Sequence, residues 1–423
     1  MMTWISLGVI LFIAFYVACN LGANDVANSM GTSVGSKALT LKQAIIIAGI
    51  LEFTGAILFG ERVSTTLATQ VTNTETLAAV PQTFLRGMVA VLLAVGIWLQ
   101  LATRWGLPVA SSHATVGAIA GFGTVAAGIE AVNWSTIGII SGSWLITPVM
   151  SAAIAATLYS IIRFGILNHH NPLQQLREWI PWLSSALLGV FGVLVLPRLS
   201  QPLAVFFEQR WHFSLPAHDF SILIGGIAIA SLSGISWRQL ARQKQVSLES
   251  KLYNPIEQQL AKFQVISACF VAFAHGSNDV GNTIAPLAAI FYVRSTGTVP
   301  VGAFDIPTWI LVLGGAGIVT GLAIWGKNVI TTVGENILSL APSSGFCAEL
   351  ATAATVLLAS KLGLPVSTSH ALVGGVVGVG LVQGLKSVDF GTVRSIGLAW
   401  LVTVPAATLL SAGIFLFLQI TVG

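Results

Sequence analysis

Long apolar runs make up most of this chain, and short polar or charged stretches separate them. A helix needs roughly 20 predominantly apolar residues to cross a hydrocarbon core of about 30 Å, and most of the runs approach or exceed that length. The pattern predicts an all-α polytopic membrane protein with about 12 membrane segments. These segments are expected near residues 4–35, 41–60, 83–103, 107–128, 136–162, 182–197, 219–236, 263–292, 308–326, 345–360, 364–385 and 395–420.

Two of these runs contain an acidic and amide-rich stretch, LGANDVANSM in the first and HGSNDVGNTI in the eighth. An ionised Asp in the bilayer core costs at least about 2.5 to 3.5 kcal/mol, so Asp25 and Asp279 need compensating partners. Gly22 and Gly276 permit unusual backbone angles, and Asn favours turns and helix N-caps, so a break in the helix is predicted at each stretch. Such a break offers N–H groups to an anion and carbonyl groups to a cation within one cavity.

The chain also repeats itself. Residues 102–123 and 359–380 are identical at about half of their positions without a gap, and TGAILFGERVSTT has a looser counterpart in TGLAIWGKNVITT. An odd number of expected segments separates the starts of the two units, 1–130 and 263–390, so the repeats are predicted to be inverted, as in many secondary transporters. The other parts are expected to be additional membrane helices (131–236), a cytoplasmic linker (237–262) and a C-terminal membrane helix (391–423).

The motifs GLPVASSH and GLPVSTSH place a proline ahead of hydroxyl side chains inside apolar sequence. Pro108 and Pro365 are expected to begin or kink a helix, each at the tip of a re-entrant hairpin. The hydroxyls that follow could face a solute from a helix N-terminus, and neutral donors suit an oxyanion that must be released again. They belong to Ser111, Ser112, Thr368 and Ser369.

Two histidines and two glutamates also lie in apolar sequence. We interpret His113 and His370, one at the end of each hairpin motif, as donors that fix the hairpins, with ligation of the solute as the alternative. Glu52 and Glu349 are expected to bind a cation or to relay a proton. The two glutamates do not occupy matching places in the repeat, so their roles need not be equal.

Composition and charge narrow the function classes. Charged residues form 8% of the chain, against about 25% in soluble domains. Most of the 19 Lys and Arg residues fall in loops on one side of the expected topology, which predicts that both termini are outside. An enzyme is disfavoured because the chain has neither a cluster with zinc-site spacing nor a nucleotide-binding G-x-x-x-x-G-K-[ST] loop. Nucleic-acid binding is disfavoured because the basic linker lacks interleaved aromatic residues.

Four stretches together carry a family resemblance: GANDVANSMGTSVGS, GLPVASSH, HGSNDVGNTIAPLAAI and GFCAELATAATVLLASKLGLPVSTSH. In this order they resemble the inorganic phosphate transporter (PiT) family, across both repeat units. The resemblance implies a secondary transporter of inorganic phosphate, built from two inverted repeats with re-entrant hairpins, commonly a homodimer, and coupled to Na⁺ or H⁺. Relatives that carry sulfate leave the choice of oxyanion open.

The resemblance also implies site residues. Phosphate is expected at Asn24, Asp25, Ser111, Ser112, Asn278, Asp279, Thr368 and Ser369. Sodium is expected at Asp25, Asn28, Glu52, Asp279, Asn282 and Glu349. The first hairpin has Ala110 where the second has Ser367, so the two halves are not expected to bind the anion with full symmetry.

Asp25 and Asp279 beside a phosphate would repel it, so a coupling cation must neutralise the site. Carboxylate, amide and carbonyl oxygens favour Na⁺, which makes a Na⁺-driven symporter in an inner or plasma membrane the leading hypothesis. A proton-coupled phosphate permease and a permease for sulfate or another tetrahedral oxyanion are the alternatives. An anion channel is the rival outside secondary transport. No cofactor other than the coupling ion is expected.

Overall fold

The computed structural model of the chain describes residues 4–104, 109–211, 217–246, 254–336, 341–384 and 390–422, and within these ranges the backbone is almost entirely helical. The helices are α1 (Trp4–Gly35), α2 (Leu41–Thr69), α3 (Thr74–Leu77), α4 (Pro81–Arg104), α5 (Ser111–Ala127), α6 (Trp134–Ile162), α7 (Pro172–Leu194), α8 (Leu196–Trp211), α9 (Ala217–Val246), α10 (Pro255–Asp279), α11 (Gly281–Thr296), α12 (Thr308–Asn336), α13 (Pro342–Lys361), α14 (Thr368–Gln383) and α15 (Phe390–Val422). A 3-10 turn at Ile129–Ala131 precedes α6, and a π-helical turn at Arg163–Leu167 extends it.

Nine helices in the described ranges are long and apolar enough to cross a membrane, and α7 with α8 would add a tenth as one span bent by 57°. The outer faces suit lipid, since Leu401, Leu409 and Ile420 of α15 are 72 to 84% exposed. An all-α polytopic membrane fold is therefore confirmed, whereas a count of about 12 spans is not. The runs 107–128 and 364–385 account for part of the difference, because the helices within them, α5 and α14, have only 17 and 16 residues.

The predicted break in the first apolar run is wrong. Helix α1 is continuous for 32 residues and passes through Asn24 and Asn28 without interruption. In the second half, α10 and α11 are separated by Val280 alone, whose φ of −56° and ψ of −34° are helical. The polar stretches therefore lie on nearly continuous helices, and their backbone groups are not freed for solutes.

The glycines at these stretches permit close helix crossings instead of unusual backbone angles. A Cβ atom on Gly22 would lie 2.1 Å from the carbonyl oxygen of Ile318 in α12. A Cβ atom on Gly276 would lie 2.0 Å from the carbonyl oxygen of Glu52 in α2. Helix α1 thus crosses α12, and α10 crosses α2, at backbone contact distance beside each acidic stretch.

The first hairpin consists of α4 and α5, and both of its ends lie where α2 ends. The backbone N–H of Asn73, which follows α2, donates to the carbonyl oxygen of Ala131 just after α5 (2.7 Å). The same asparagine caps α3, and α4 begins four residues after α3 ends.

The second hairpin consists of α13 and α14, and its ends lie at the other end of the bundle. The backbone N–H of Ser343 donates to the carboxylate of Glu257 in the first turn of α10 (2.8 Å). Ser36, just after α1, donates to Gln264 (2.7 Å), which brings the start of α10 close to the start of α2. The two hairpins therefore enter from opposite ends, as inverted repeats would require, although the repeat itself stays a prediction.

The glycine crossing gives a stability prediction. Gly22→Ala should lower the free energy of unfolding by about 1 to 3 kcal/mol, because the new methyl group meets backbone that cannot rotate away. Gly8→Ala in the same helix is the matched control, since nothing lies within 4 Å of a Cβ atom there. Thermal unfolding of the purified variants in detergent measures the difference. Equal melting temperatures for the two variants would contradict the close crossing.

Candidate functional site

The two aspartates from the two halves of the chain lie together inside the protein. Oxygen atoms of Asp25 on α1 and Asp279 on α10, with a ring nitrogen of His275, all lie within 4.8 Å of one another. Asp25 is 3% exposed and Asp279 is 2% exposed. Two carboxylates this close repel each other strongly in a low-dielectric interior, so the pair needs positive charge or protons beside it.

His275 is the basic side chain that reaches this pair, and the sequence analysis did not single it out. Its Nε2 atom lies 2.9 Å from Oδ2 of Asp279 and 4.0 Å from Oδ2 of Asp25. Its Nδ1 atom lies 3.2 Å from Oε1 of Glu52 on α2. One imidazole therefore lies among three carboxylates. A comparison of the two repeats could have identified His275, since the first unit has Leu21 at the equivalent position.

Glu52 therefore lies close to the two aspartates. The sequence analysis had grouped these three acids as expected sodium ligands. The Oε1 atom of Glu52 also accepts a hydrogen bond from Ser29 of α1 (2.9 Å). Its Oε2 atom is buried and has no hydrogen-bond partner in the part of the chain that the structure describes. A buried carboxylate oxygen without a donor is unusual in a native protein and marks a place for an ion, a water molecule or a proton.

The first hairpin reaches this group of acids through Ser111 at the start of α5. The Ser111 hydroxyl donates to Oδ2 of Asp25 (3.2 Å) and accepts from the Asn282 side-chain amide on α11 (3.2 Å). Asn24 and Asn28 donate to the other oxygen of Asp25, at 3.1 and 3.2 Å. Asp25 therefore accepts hydrogen bonds from three side chains of α1 and α5.

The second hairpin reaches Asp279 in the same way. The Thr368 hydroxyl at the start of α14 donates to Oδ2 of Asp279 (3.0 Å). Ser369, by contrast, pairs with the hydroxyl of Ser367 (2.7 Å), and in the described part of the chain it makes no hydrogen bond to the acids. Each hairpin thus places one hydroxyl on one of the two aspartates.

Asn278 has a different environment from its sequence counterpart Asn24. Its side-chain amide donates to the hydroxyl of Ser360 and to the carbonyl oxygen of Leu364, both at 3.0 Å. Its side-chain oxygen accepts from the backbone N–H of Val366 (3.1 Å). The amide group is therefore engaged in holding the turn of the second hairpin in place.

The two hairpin helices also begin differently. The N-cap of α14 is Ser367, whose hydroxyl accepts from the backbone N–H of His370 (3.3 Å). The N-cap of α5 is Ala110, which provides no side-chain cap. Ser112 follows in the first turn of α5, and its buried hydroxyl has no partner among the described residues. The first hairpin thus retains donors that an anion could use.

Glu349 is buried in a group of its own. Its carboxylate accepts hydrogen bonds from four side chains at 2.6 to 3.1 Å. Two of the donors, Thr32 and Ser33, lie two turns after Asp25 on α1, which is about 10 Å by helical rise. The expected sodium ligands are therefore divided between two groups. The donors to Glu349 are Thr32, Ser33, Gln264 and Ser267.

The two hairpin histidines lie against tryptophans, and the expected contact with a neighbouring carbonyl group is found for one of them, since Nδ1 of His370 lies 3.4 Å from the carbonyl oxygen of Trp144. The His113 ring stacks on Trp144 of α6 at 3.7 Å between centroids, and the His370 ring lies 3.4 Å from Trp400 of α15. The segments WLIT and WLVT around these tryptophans match, so the internal similarity extends into α6 and α15. Pro108, expected at the tip of the first hairpin, lies outside the described residues.

Comparisons with known proteins agree with this arrangement. The sequence profile of the phosphate transporter family matches residues 21–411. The chain is 39% identical to a putative phosphate permease of Chlamydia trachomatis, and the alignment covers 98% of this chain and 99% of that protein. It is 40% identical to the chloroplastic inorganic phosphate transporter 2-1 of Arabidopsis thaliana, covering 95% of this chain and 70% of that protein.

A solved structure described as the sodium-dependent phosphate transporter superposes with a TM-score of 0.85. The two chains are 36% identical, and the superposition covers 98% of this chain and 99% of the other. The profile match extends over nearly the whole chain and both acidic stretches, so this multi-pass membrane protein is a transporter and not an enzyme. The chain belongs to the phosphate transporter family.

Proposed function

We propose that this chain is a Na⁺-coupled symporter of inorganic phosphate that works by alternating access. The observation that carries the proposal is the meeting of Asp25 and Asp279, from equivalent positions in the two halves, at the tips of both hairpins. The similarity to a structure described as sodium-dependent supports the choice of ion. A homodimer with both termini outside remains part of the proposal.

The charge of the site supports a coupling mechanism. Asp25, Asp279 and Glu52 bring three carboxylates to a single imidazole. A phosphate anion would add further negative charge, so it can bind only when cations arrive with it. Carboxylate oxygens within 4.8 Å of each other could share one hard cation, whose ligands lie about 2.3 to 2.6 Å away in the case of Ca²⁺. Sodium would therefore bind first and create the site for the anion.

Phosphate would bind next to these cations, at the tip of the first hairpin, where α5 begins. Ser112 and the uncapped first turn of α5 offer neutral donors, and a helix N-terminus favours an anion. Ser111 would link the two solutes, because its hydroxyl already contacts Asp25. Donors without a full charge would hold the anion in the presence of Na⁺ and release it when Na⁺ leaves.

The hairpins provide a route to alternating access. They enter from opposite ends and each contacts one aspartate, so a shift of either hairpin would open the site towards one side of the membrane. Each net positive charge that moves inward gains about 2.3 kcal/mol per 100 mV of membrane potential. A surplus of one cation over the charge of the phosphate would therefore drive concentrative uptake.

Proton coupling is the second candidate. The position of His275 between Glu52 and Asp279 favours it, because an imidazole among carboxylates can carry the charge that Na⁺ would otherwise supply.

Uptake under imposed gradients separates the two candidates. In proteoliposomes, labelled phosphate should accumulate when Na⁺ is directed inward at equal pH, and it should stay at equilibrium when only H⁺ is directed inward. Protein-free vesicles are the control. Uptake that is indifferent to Na⁺ would contradict the sodium proposal, and full competition by unlabelled sulfate would contradict selectivity for phosphate.

Neutralising either aspartate should abolish coupling. Asp25→Asn and Asp279→Asn keep the side-chain volume but remove the charge that holds the cation, so concentrative uptake should fall to the level of empty vesicles. Both variants should express and insert normally, because losing one of two close carboxylates relieves repulsion. Glu208→Gln, an exposed acid on α8, should leave uptake unchanged. Near-normal uptake by either Asn variant would remove that aspartate from the mechanism.

The unpartnered hydroxyl of Ser112 should contribute to binding of the anion. Ser112→Ala removes one neutral hydrogen bond, so the KM for phosphate should rise about three- to tenfold. Ser184→Ala is the matched control, since that hydroxyl on α7 is also buried and without a partner among the described residues. Initial uptake rates over a range of phosphate concentrations provide the measurement. Equal KM values in the two variants would place the anion elsewhere.

A further inference from the structure

A cavity of about 790 Å³ opens at the end of the molecule where α2 ends, outside the group of acids described above. It lies between the C-terminal part of α2, the start of α8, the loop before α12 and the turn of the second hairpin. The volume is ample for a hydrated tetrahedral oxyanion. The positive-inside expectation assigns this end to the outside.

The charged side chains of the cavity are mainly basic. It contains three cations, Arg62, Arg198 and Lys361, and two acids, Glu61 and Asp305. Arg198 lies 3.5 Å from Glu61, and these two side chains are 41% and 42% exposed. In the part of the chain that the structure describes, neither Arg62 nor Lys361 has a carboxylate within ion-pair distance. The cavity therefore carries a net positive charge that water can reach.

The floor of the cavity is the turn that covers the proposed site. Gly363 lines the cavity, and the next residue, Leu364, accepts a hydrogen bond from Asn278, the neighbour of Asp279. Arg62 donates to the carbonyl oxygen of Lys361 (2.7 Å), so α2 holds this turn from the cavity side. A solute in the cavity is thus separated from the acids by one hairpin turn.

We propose that this cavity is a capture site for the oxyanion, in which Arg62, Arg198 and Lys361 concentrate phosphate above the hairpin turn before it moves to the acids. The inference rests on the proposed function and adds a second, outer site to it. A cleft with charge of one sign raises the local concentration and the association rate of an oppositely charged solute. The inner site, with its excess of carboxylates, offers no such attraction until cations have bound.

The distance between the two sites predicts which kinetic constant changes. Arg62 follows Glu52 by ten residues on α2, which is about 15 Å along the helix axis. The cavity is open to water, whereas the acids are buried behind the hairpin turn. The cavity charges therefore act mainly on phosphate that arrives from outside. Changes here should alter KM and leave the maximal rate unchanged.

The test uses charge changes of opposite sign at the Arg198–Glu61 pair. In proteoliposomes with inward Na⁺, Arg198→Gln should raise the KM for phosphate about threefold, and Glu61→Gln should lower it by a similar factor. Arg198→Lys should retain a KM near the wild-type value. Arg210→Gln is the matched control, because this exposed arginine at the end of α8 lies outside the cavity lining. All differences in KM between the variants and the wild-type protein should become smaller as the ionic strength rises.

A lower maximal rate at constant KM, or KM shifts in the same direction for Arg198→Gln and Glu61→Gln, would overturn the capture site. Absence of phosphate uptake by the wild-type protein would instead contradict the proposed function. In that case equilibrium binding of labelled phosphate to the same purified variants decides the inference. Opposite shifts in Kd would support the capture site, and equal Kd values would overturn it.

Discussion

Carboxylates buried inside a membrane protein impose the constraint on which the rest of this structure depends. A charged side chain there is costly unless protein, water or ions compensate it. Asp25, Asp279 and Glu52 have only His275 as a basic partner within ion-pair distance in the described part of the chain. The excess of carboxylates over basic side chains is the feature on which the proposed coupling of a cation to an anion rests.

The two halves of the chain contribute different groups around these carboxylates. The second half contributes His275 where the first has Leu21, and the first hairpin lacks the N-cap that Ser367 provides in the second. The imidazole and the uncapped helix start therefore come from different halves. The basic side chain near the carboxylates and the uncapped helix start are thus placed on different elements, as the proposed binding of two solutes of opposite sign would require.

Much of the fold and of the candidate site could be predicted from the sequence, because hydropathy and repeated motifs can be read from residues that are close to one another along the chain. The membrane class, the pairing of Asp25 with Asp279 and the hairpin hydroxyls follow from them. The helix break was wrong because Gly22 permits either an unusual backbone angle or a close approach, and only the neighbouring α12 decides between them. The separation of Glu349 from Glu52 likewise depends on partners more than 300 residues away on α1 and more than 80 residues away on α10, which no local pattern reveals.

The close helix crossings at Gly22 and Gly276 limit which parts of the candidate site can move. Helix α1 meets α12, and α10 meets α2, with the glycine positions at backbone contact distance, so these pairs leave little room for relative displacement beside the acids. The hairpins contact the same acids through single hydroxyl groups, Ser111 and Thr368, whose hydrogen bonds are individually worth about 1 kcal/mol. Hydrogen bonds of that strength exchange readily for contacts with water or a solute, whereas interlocked backbones do not. Opening is therefore expected at the hairpin tips, while α1 stays against α12 and α10 stays against α2.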